Sequence, residues 1–453
     1  MKLHEYQKRG IEFWLKNPRT YFAVDMGLGK TAIALHVIAK LKKPTLVIAP
    51  LRTIYSTWPD EIKDWNLSLS YSIVHGKDKL WAIQQKCDMY LTNYQSLPFI
   101  YDYLVQQLKQ KKPSPFEVCI IDEGSMIKSP SSKRIKYLDA LRVLFPKYRT
   151  ILSGTPAPNS LQDLWSQYNF LTDGEALGNN FYRFRKSYFT TDQWNPYVYR
   201  ILPKAPPIIY KKILPYTFRL DEKDHLKLPK ITYNYLPVSL SKELKNQYKE
   251  LKNEFILSIN NIDHVAINSA TLSLKLRQFL QGFLYYTTGE PPIRKATLVH
   301  KAKLTRLKEL VEEINQPILC AIQFKQELEM IRNVYPNAPI IAGGTNATDA
   351  TRYIKQWNRR ELPLLLCHPA SIAHGVNLQT GGCNILWYCQ TWSLEQYQQF
   401  NKRLHRQGQK HGVVIHHLTI AGTIDDRVTR VLASKDTTQQ SLLDFLKERM
   451  NYE

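Results

Sequence analysis

The sequence predicts an α/β protein made of two tandem doubly wound parallel-sheet lobes, with an irregular and helical segment inserted between them. Three observations predict it. One unit recurs along both halves: a short apolar strand, a loop rich in Gly, Pro, Ser or Thr, then a helical stretch. At 453 residues the chain is too long for one ordinary core, and with 43% apolar residues it can fill two. The strand candidates are nearly continuous apolar runs, as in parallel sheets covered on both faces. The expected boundaries are 1–170 for the N-terminal lobe, 171–237 for the insertion and connector, and 238–453 for the C-terminal lobe.

In the first half the strands fall at 21–24, 45–49, 88–91, 117–121 and 150–152. In the second they fall at 318–322, 339–342, 364–367, 384–388 and 413–417. Ligands of such sheets collect at the carboxyl ends of the strands. The unusual polar clusters follow those ends: DMGLGKT after Val24, PLRT after Ala49, TNYQS after Leu91, DEGS after Ile121 and SGTPAPN after Leu152. In the second half, GGT follows Ala342 and the stretch 368–377 follows Cys367. The segment 171–237 is instead dense in aromatic and basic residues (FYRFRKSYFTTDQWNPYVYR) without a clear period. It reads equally as a nucleic-acid contact surface or as an irregular subdomain packed on the first lobe.

Charge adds a partner class. With 62 Lys and Arg against 39 Asp and Glu the net charge is +23, which suits a polyanion, nucleic acid being the commonest. The six cysteines are scattered without a CxxC pair, several within apolar strands, a pattern of buried thiols in a reducing compartment. MKLHEYQKRG has no apolar signal core, and no uninterrupted apolar run reaches membrane-spanning length. These features lead us to expect a soluble cytoplasmic protein with no membrane partner; its protein partners are not indicated.

The chemistry begins at Asp25–Thr31 (DMGLGKT), between a strand and a helix. Gly27 and Gly29 let backbone N–H groups turn around a phosphate, and the helix N-terminus adds partial positive charge. Lys30 is placed to reach the β- and γ-phosphates of ATP, and Thr31 to hold Mg²⁺. Val24 stands where the full pattern has glycine. Asp122 and Glu123 end an apolar strand, the first positioned for Mg²⁺ and the second to orient and deprotonate the attacking water. In the second half, QYQQFNKRLHRQGQ carries Arg403 and Arg406, whose spacing on a helix puts both on one face. Facing a nucleotide, they would stabilise charge on the transferred phosphoryl group. An exposed basic helix is the plainer reading of the same spacing.

At these motifs the chain resembles superfamily-two helicase-like ATPases, specifically the Swi/Snf-related DNA translocases, over almost its whole length. HEYQKRGIEFW is similar to the family's leading glutamine motif, LVIAPLRTIYSTWPDEIKDW and LTNYQSL to its next two blocks, and LSGTPAPNSLQDLWSQYNFL to its third motif. FRLDEKDHLKLPKITYNYLPVSLS resembles the passage into the second lobe, and SIAHGVNLQTGGCNILWYCQTWSLEQYQQFNKRLHRQGQ the fifth and sixth motifs. The resemblance implies two RecA-like lobes and ATP hydrolysis coupled to their closure. It also implies sequence-independent tracking of double-stranded DNA along its phosphates. It makes Gln7 an adenine reader and sets Arg52, Thr53, Asn93, Tyr94, Gly375, Asn377 and Trp392 near the DNA. It gives Ser153 and Thr155 a relay between nucleotide and DNA. Two positions depart from the family: Ser125 replaces the histidine of the acidic box, which bears on coupling, and His374 replaces a glycine of the fifth motif. No appended module is evident, which suits a bacterial or phage-type member. The residues leave open a strand-separating or branch-migrating helicase, and a nucleotide-gated clamp with little turnover. A small-molecule kinase would not explain two lobes with the arginine pair in the second.

Overall fold

The structure is a computed structural model. It describes the chain except for residues 146, 193–197, 260–261, 266–267, 290–292, 373–375 and 451–453. Two compact units divide it: Met1–Leu226 with Lys435–Glu453, and Lys227–Ser434.

The first unit holds β1 Arg19–Val24, β2 Thr45–Ala49, β3 Tyr71–Val74, β4 Met89–Asn93, β5 Val118–Asp122 and β6 Tyr148–Ser153. A short hairpin of β7 Phe189–Thr191 and β8 Tyr199–Ile201 follows, then β9 Thr217–Leu220. Seven of these form one sheet in the order β3-β4-β2-β5-β6-β1-β9, with every neighbouring pair parallel. Alternating residues of each strand feed two different cores. Tyr21, Ala23, Leu46, Ile48, Cys119 and Ile121 enter one; Phe22, Val24, Val47, Ala49, Val118 and Ile120 enter the other. With both faces buried, no polar alternation is left to read in the sequence.

The second unit repeats the plan. Its strands are β10 Ile231–Pro237, the hairpins β11 Ile256–Ile259 with β12 Ile262–Val265 and β13 Phe283–Thr288 with β14 Ile293–Leu298, then β15 Ile318–Ala321, β16 Ile340–Ile341, β17 Leu364–Cys367, β18 Asn384–Trp387 and β19 Val413–Thr419. Six form a parallel sheet in the order β10-β19-β18-β15-β17-β16. Ile318, Cys320 and Leu366 face one core, and Leu319, Ala321 and Leu365 the other. The two doubly wound lobes expected from the sequence are thus present. None of the six cysteines is in a disulfide. Among the described residues no helix is long and apolar enough to cross a membrane.

The segment expected as a connector supplies a strand to each sheet: β9 lies beside β1, and β10 beside β19. Neither is an apolar run. In β9 the interior position Arg219 is a buried cation, and β10 is exposed along much of its length. The final helix, Ile424–Met450, sends Val428 and Leu432 against Leu394 in the second unit. Its last turns bring Leu442, Leu443 and Leu446 into the first unit's core.

The second unit also buries charge. Lys303 Nζ pairs with Asp425 at 2.9 Å, both nearly inaccessible. Nearby, Glu327 accepts the N–H groups of Gln323 (2.7 Å) and Phe324 (3.1 Å), yet its second oxygen has no hydrogen-bond partner. Burial pushes this carboxyl up to about 7, against the opposing pull of those N–H groups, Arg277 and Lys303.

Two outcomes follow from this packing. Leu442→Ala should cost about 2–4 kcal/mol, read as a lowered urea midpoint; an unchanged midpoint would mean the helix end is not part of the core. Glu327 has a folded pKa above its unfolded value, so its stabilising contribution is complete below about 4.5 and is lost as pH rises through about 7. Stability of the wild type should therefore decline between pH 5 and 8 by more than that of Glu327→Gln, measured by denaturation at both pH values.

Candidate nucleotide site

β1 ends at Val24, and after five intervening residues the chain enters α2, Lys30–Leu41, which follows α1, Glu5–Lys16. Gly27 (φ 87°) and Gly29 (φ 76°) adopt left-handed backbone that turns the chain into the helix. Gly29 is fixed by its neighbour as well, because a Cβ there would lie 2.3 Å from Gln7 Nε2. Gln7 is buried on α1; its Oε1 accepts the His4 N–H at 2.9 Å and its Nε2 donates to Leu28 O at 3.4 Å. The sequence separation between Gln7 and the glycine turn is closed by α1 packing on α2. Lys30 Nζ lies inside the turn, donating to Val24 O (2.7 Å) and Asp25 O (3.2 Å). Thr31, next in the helix, is half-buried.

The sheet order places β6 between β1 and β5, so the SGT segment lies between the glycine turn and the acidic pair. Asp122 Oδ2 accepts Trp58 Nε1–H at 3.0 Å. Burial raises the Asp122 carboxyl above its usual range, while the Trp58 bond and the Lys30 charge oppose that shift. Glu123 stands at φ 72°, a left-handed conformation unusual for a side-chain-bearing residue. Its N–H donates to Leu152 O at 2.9 Å. Its Oε1 accepts from Ser125 Oγ (3.1 Å) and Ser153 Oγ (3.3 Å), and Ser153 Oγ in turn accepts the Thr155 N–H at 3.2 Å. The three residues expected to couple the site therefore meet at Glu123, Ser125 directly and Thr155 through Ser153.

Several participants were not anticipated, or not in these roles. Asp25 accepts both terminal nitrogens of Arg219 (2.7 and 3.0 Å) and the Glu222 N–H (3.0 Å), tying the glycine turn to β9. A charged residue inside DMGLGKT was the available signal. Trp58 lay within the quoted block after β2, but its link to Asp122 needed the fold. Tyr94 is buried, with its hydroxyl 2.6 Å from Asp122 O and 3.2 Å from Glu123 O. Burial beside those two acids holds the phenol far above its usual pKa, so it remains a donor. Gly124 admits no side chain: a Cβ would lie 2.5 Å from Ile151 Cγ2 and 2.7 Å from Gln167 Oε1.

Of the first-lobe residues expected near DNA, three have buried side chains. Thr53 Oγ1 donates to Pro50 O at 2.7 Å, Asn93 Oδ1 accepts from Ser96 N (3.2 Å) and Oγ (2.7 Å), and Tyr94 is bound as above. Arg52, in α3 Leu51–Tyr55, is half-buried.

In the second unit the arginine segment departs from expectation. The helix ends at Asn401, so Arg403 and Arg406 lie in the turns beyond it instead of on one helical face. Those turns are held from inside: Asn401 Oδ1 accepts Trp387 Nε1–H at 3.0 Å, and Gln409 Nε2 reaches Gln379 O (3.0 Å) and Gly382 O (2.9 Å). The two guanidinium groups still converge on neighbouring residues. Arg403, 7% exposed, donates to Val376 O at 3.1 Å and to Gln399 O at 3.0 Å. Arg406 donates to Asn377 Oδ1, and burial lowers its pKa. Trp392 is half-buried between apolar clusters. Gly375 and His374 lie outside the described residues.

A glycine turn with its lysine at one strand end, and an acidic pair two strands away in the same sheet, is the arrangement of a nucleoside-triphosphate hydrolase. More particularly, the chain belongs to the SNF2-related family, whose domain description matches residues 6–286. It is an ATP-hydrolysing enzyme of helicase superfamily two. Protein p41 of Acyrthosiphon pisum secondary endosymbiont phage 1 is 31% identical over 98% of this chain and 98% of its own. YwqA of Bacillus subtilis, whose name proposes an ATP-dependent helicase/translocase, is 25% identical over 97% of this chain; the match spans 49% of YwqA. A solved Sulfolobus solfataricus SWI2/SNF2 ATPase core in complex with dsDNA aligns over 99% of this chain and 95% of that one, at 24% identity and a TM-score of 0.43.

Tyr94→Phe keeps the ring and removes the hydroxyl beneath the acidic loop. Phosphate release should fall roughly tenfold while stability drops by only about 1 kcal/mol; wild-type turnover would show the loop does not depend on that hydroxyl.

Proposed function

We propose that this chain is an ATP-driven motor that moves along double-stranded DNA by its phosphates, without reading sequence. The observation that carries the reading is the convergence of Lys30, Asp122 and Glu123, the last held by Ser125 and Ser153, on adjoining strand ends of one sheet. The net charge of +23 supplies the affinity for a polyanion.

In this reading Gly27, Gly29 and the first N–H groups of α2 cradle the phosphates, and Lys30 exchanges its carbonyl partners for phosphate oxygens. Gln7, seated against Gly29, would meet the base. Thr31 and Asp122 offer oxygen donors that would hold Mg²⁺, and the ion would neutralise phosphate charge. Among the described residues no group of three or more His, Cys, Asp or Glu could hold a metal without such help. Glu123 orients and deprotonates the attacking water, its carboxylate aimed by Ser125 and Ser153. Arg403 and Arg406 stabilise the charge that develops on the transferred phosphoryl group as the lobes close. Closure and reopening would shift one lobe's grip on the DNA relative to the other's. Because Thr53, Asn93 and Tyr94 are buried, backbone groups and Arg52 would make the first-lobe contacts, with Asn377, Trp392 and Gly375 serving the second.

Phosphate release measured with duplex DNA, single-stranded DNA and RNA over a salt series tests the reading. Duplex should stimulate most, with stimulation falling steeply as salt rises. Lys30→Ala, Glu123→Gln and Arg406→Ala should each lower the stimulated rate about a hundredfold or more. Displacement of a third strand from intact duplex should accompany turnover. Duplex binding without stimulated hydrolysis would sink the motor and leave a clamp.

A further inference from the structure

The first unit carries a surface that the nucleotide site does not use. Helix Phe181–Tyr188 begins at Asn180, whose side chain accepts the Arg183 N–H at 3.0 Å. Its inner side is anchored: Phe184 and Phe189 are buried in the unit's core, and Phe181 packs on Trp165 with centroids 5.4 Å apart. Its outer side is different. Tyr182, Arg183 and Lys186 are all exposed, Tyr182 by 72%, and Lys186, four residues from Tyr182 and three from Arg183, is a surface neighbour of both. Beside them the Arg185 guanidinium lies 4.0 Å from the Tyr199 ring centroid, 5.3 Å from that of Phe181 and 5.4 Å from that of Tyr182.

Charge on this stretch runs one way. Between Asn180 and Ile213 stand Arg183, Arg185, Lys186, Arg200, Lys204, Lys211 and Lys212 against the single acid Asp192, which pairs with Arg200. Arg183 and Lys186 form no ion pair among the described residues. Packing onto the first lobe accounts for Phe184 and Phe189. It does not account for an exposed tyrosine set among unneutralised cations.

We propose that this face is a second nucleic-acid site, separate from the motor, that takes single-stranded nucleic acid. Bases stack on Tyr182 at the edge of the Arg185 cluster, and phosphates run over Arg183 and Lys186. A duplex has already spent its base faces on internal stacking, so it gains only the phosphate contacts. The site stands or falls independently of translocation.

Fluorescence anisotropy of the full chain with a labelled oligothymidine and with a blunt duplex, without nucleotide, tests it. Tyr182→Ala should weaken single-strand binding about tenfold and leave duplex binding within about twofold, while Tyr182→Phe should retain wild-type affinity. Arg183→Glu with Lys186→Glu should weaken single-strand binding further and flatten its salt dependence. DNA-free hydrolysis and the urea midpoint should stay at wild-type values in each variant. Unchanged oligothymidine affinity in Tyr182→Ala, or equal losses on both ligands, would overturn the proposal. Duplex-stimulated hydrolysis in the same variants reads the motor separately.

Discussion

Glu123 sits where the ends of β4, β5 and β6 meet, and the candidate nucleotide site is built on keeping it there. Its left-handed backbone costs about 1–2 kcal/mol relative to an ordinary conformation. That strain persists because β6 takes its N–H through Leu152 O, Tyr94 supports its carbonyl, and Ser125 and Ser153 hold its carboxylate. Asp122 still belongs to β5, and Glu123 leaves the strand through that left-handed turn. Gly124 has to follow, since Ile151 and Gln167 occupy the space a side chain would need.

Sheet order spreads this constraint. With β6 flanked by β5 and β1, a change at the glycine turn is one strand away from Ser153, and Ser153 touches Glu123. Asp25 extends the same linkage outward through Arg219 to β9 and the N–H of Glu222. A nucleotide that draws Lys30 from Val24 O and Asp25 O would thus act on a hydrogen-bonded frame covering several strand ends. The second unit follows a parallel logic, with Arg403 and Arg406 fastened to adjacent residues of a loop after β17.

Ser125 shows how a departure from family pattern is accommodated. A hydroxyl has less reach than an imidazole, and here it donates to Glu123 Oε1, two residues away, where Ser153 also donates. One link from the acidic loop to the SGT segment is this shared carboxylate oxygen of Glu123.

The sequence by itself determined the two-sheet plan, the strands that fill the sheet interiors, and the residue types of the candidate nucleotide site. Those features are local: a strand buried on both faces is a continuous apolar run, and a phosphate turn needs glycines and a lysine at fixed spacing. Tertiary structure decided what depends on neighbours distant in the chain. β9 and β10 escaped because a buried arginine and an exposed edge erase the apolar signal that marks interior strands. Arg403 and Arg406 keep regular spacing, yet Trp387 and Gln409 hold the chain off the helix, and no local pattern encodes a partner across the core. Tyr94 read as a DNA contact, and only the assembled sheet brings its hydroxyl to the Asp122 and Glu123 carbonyls.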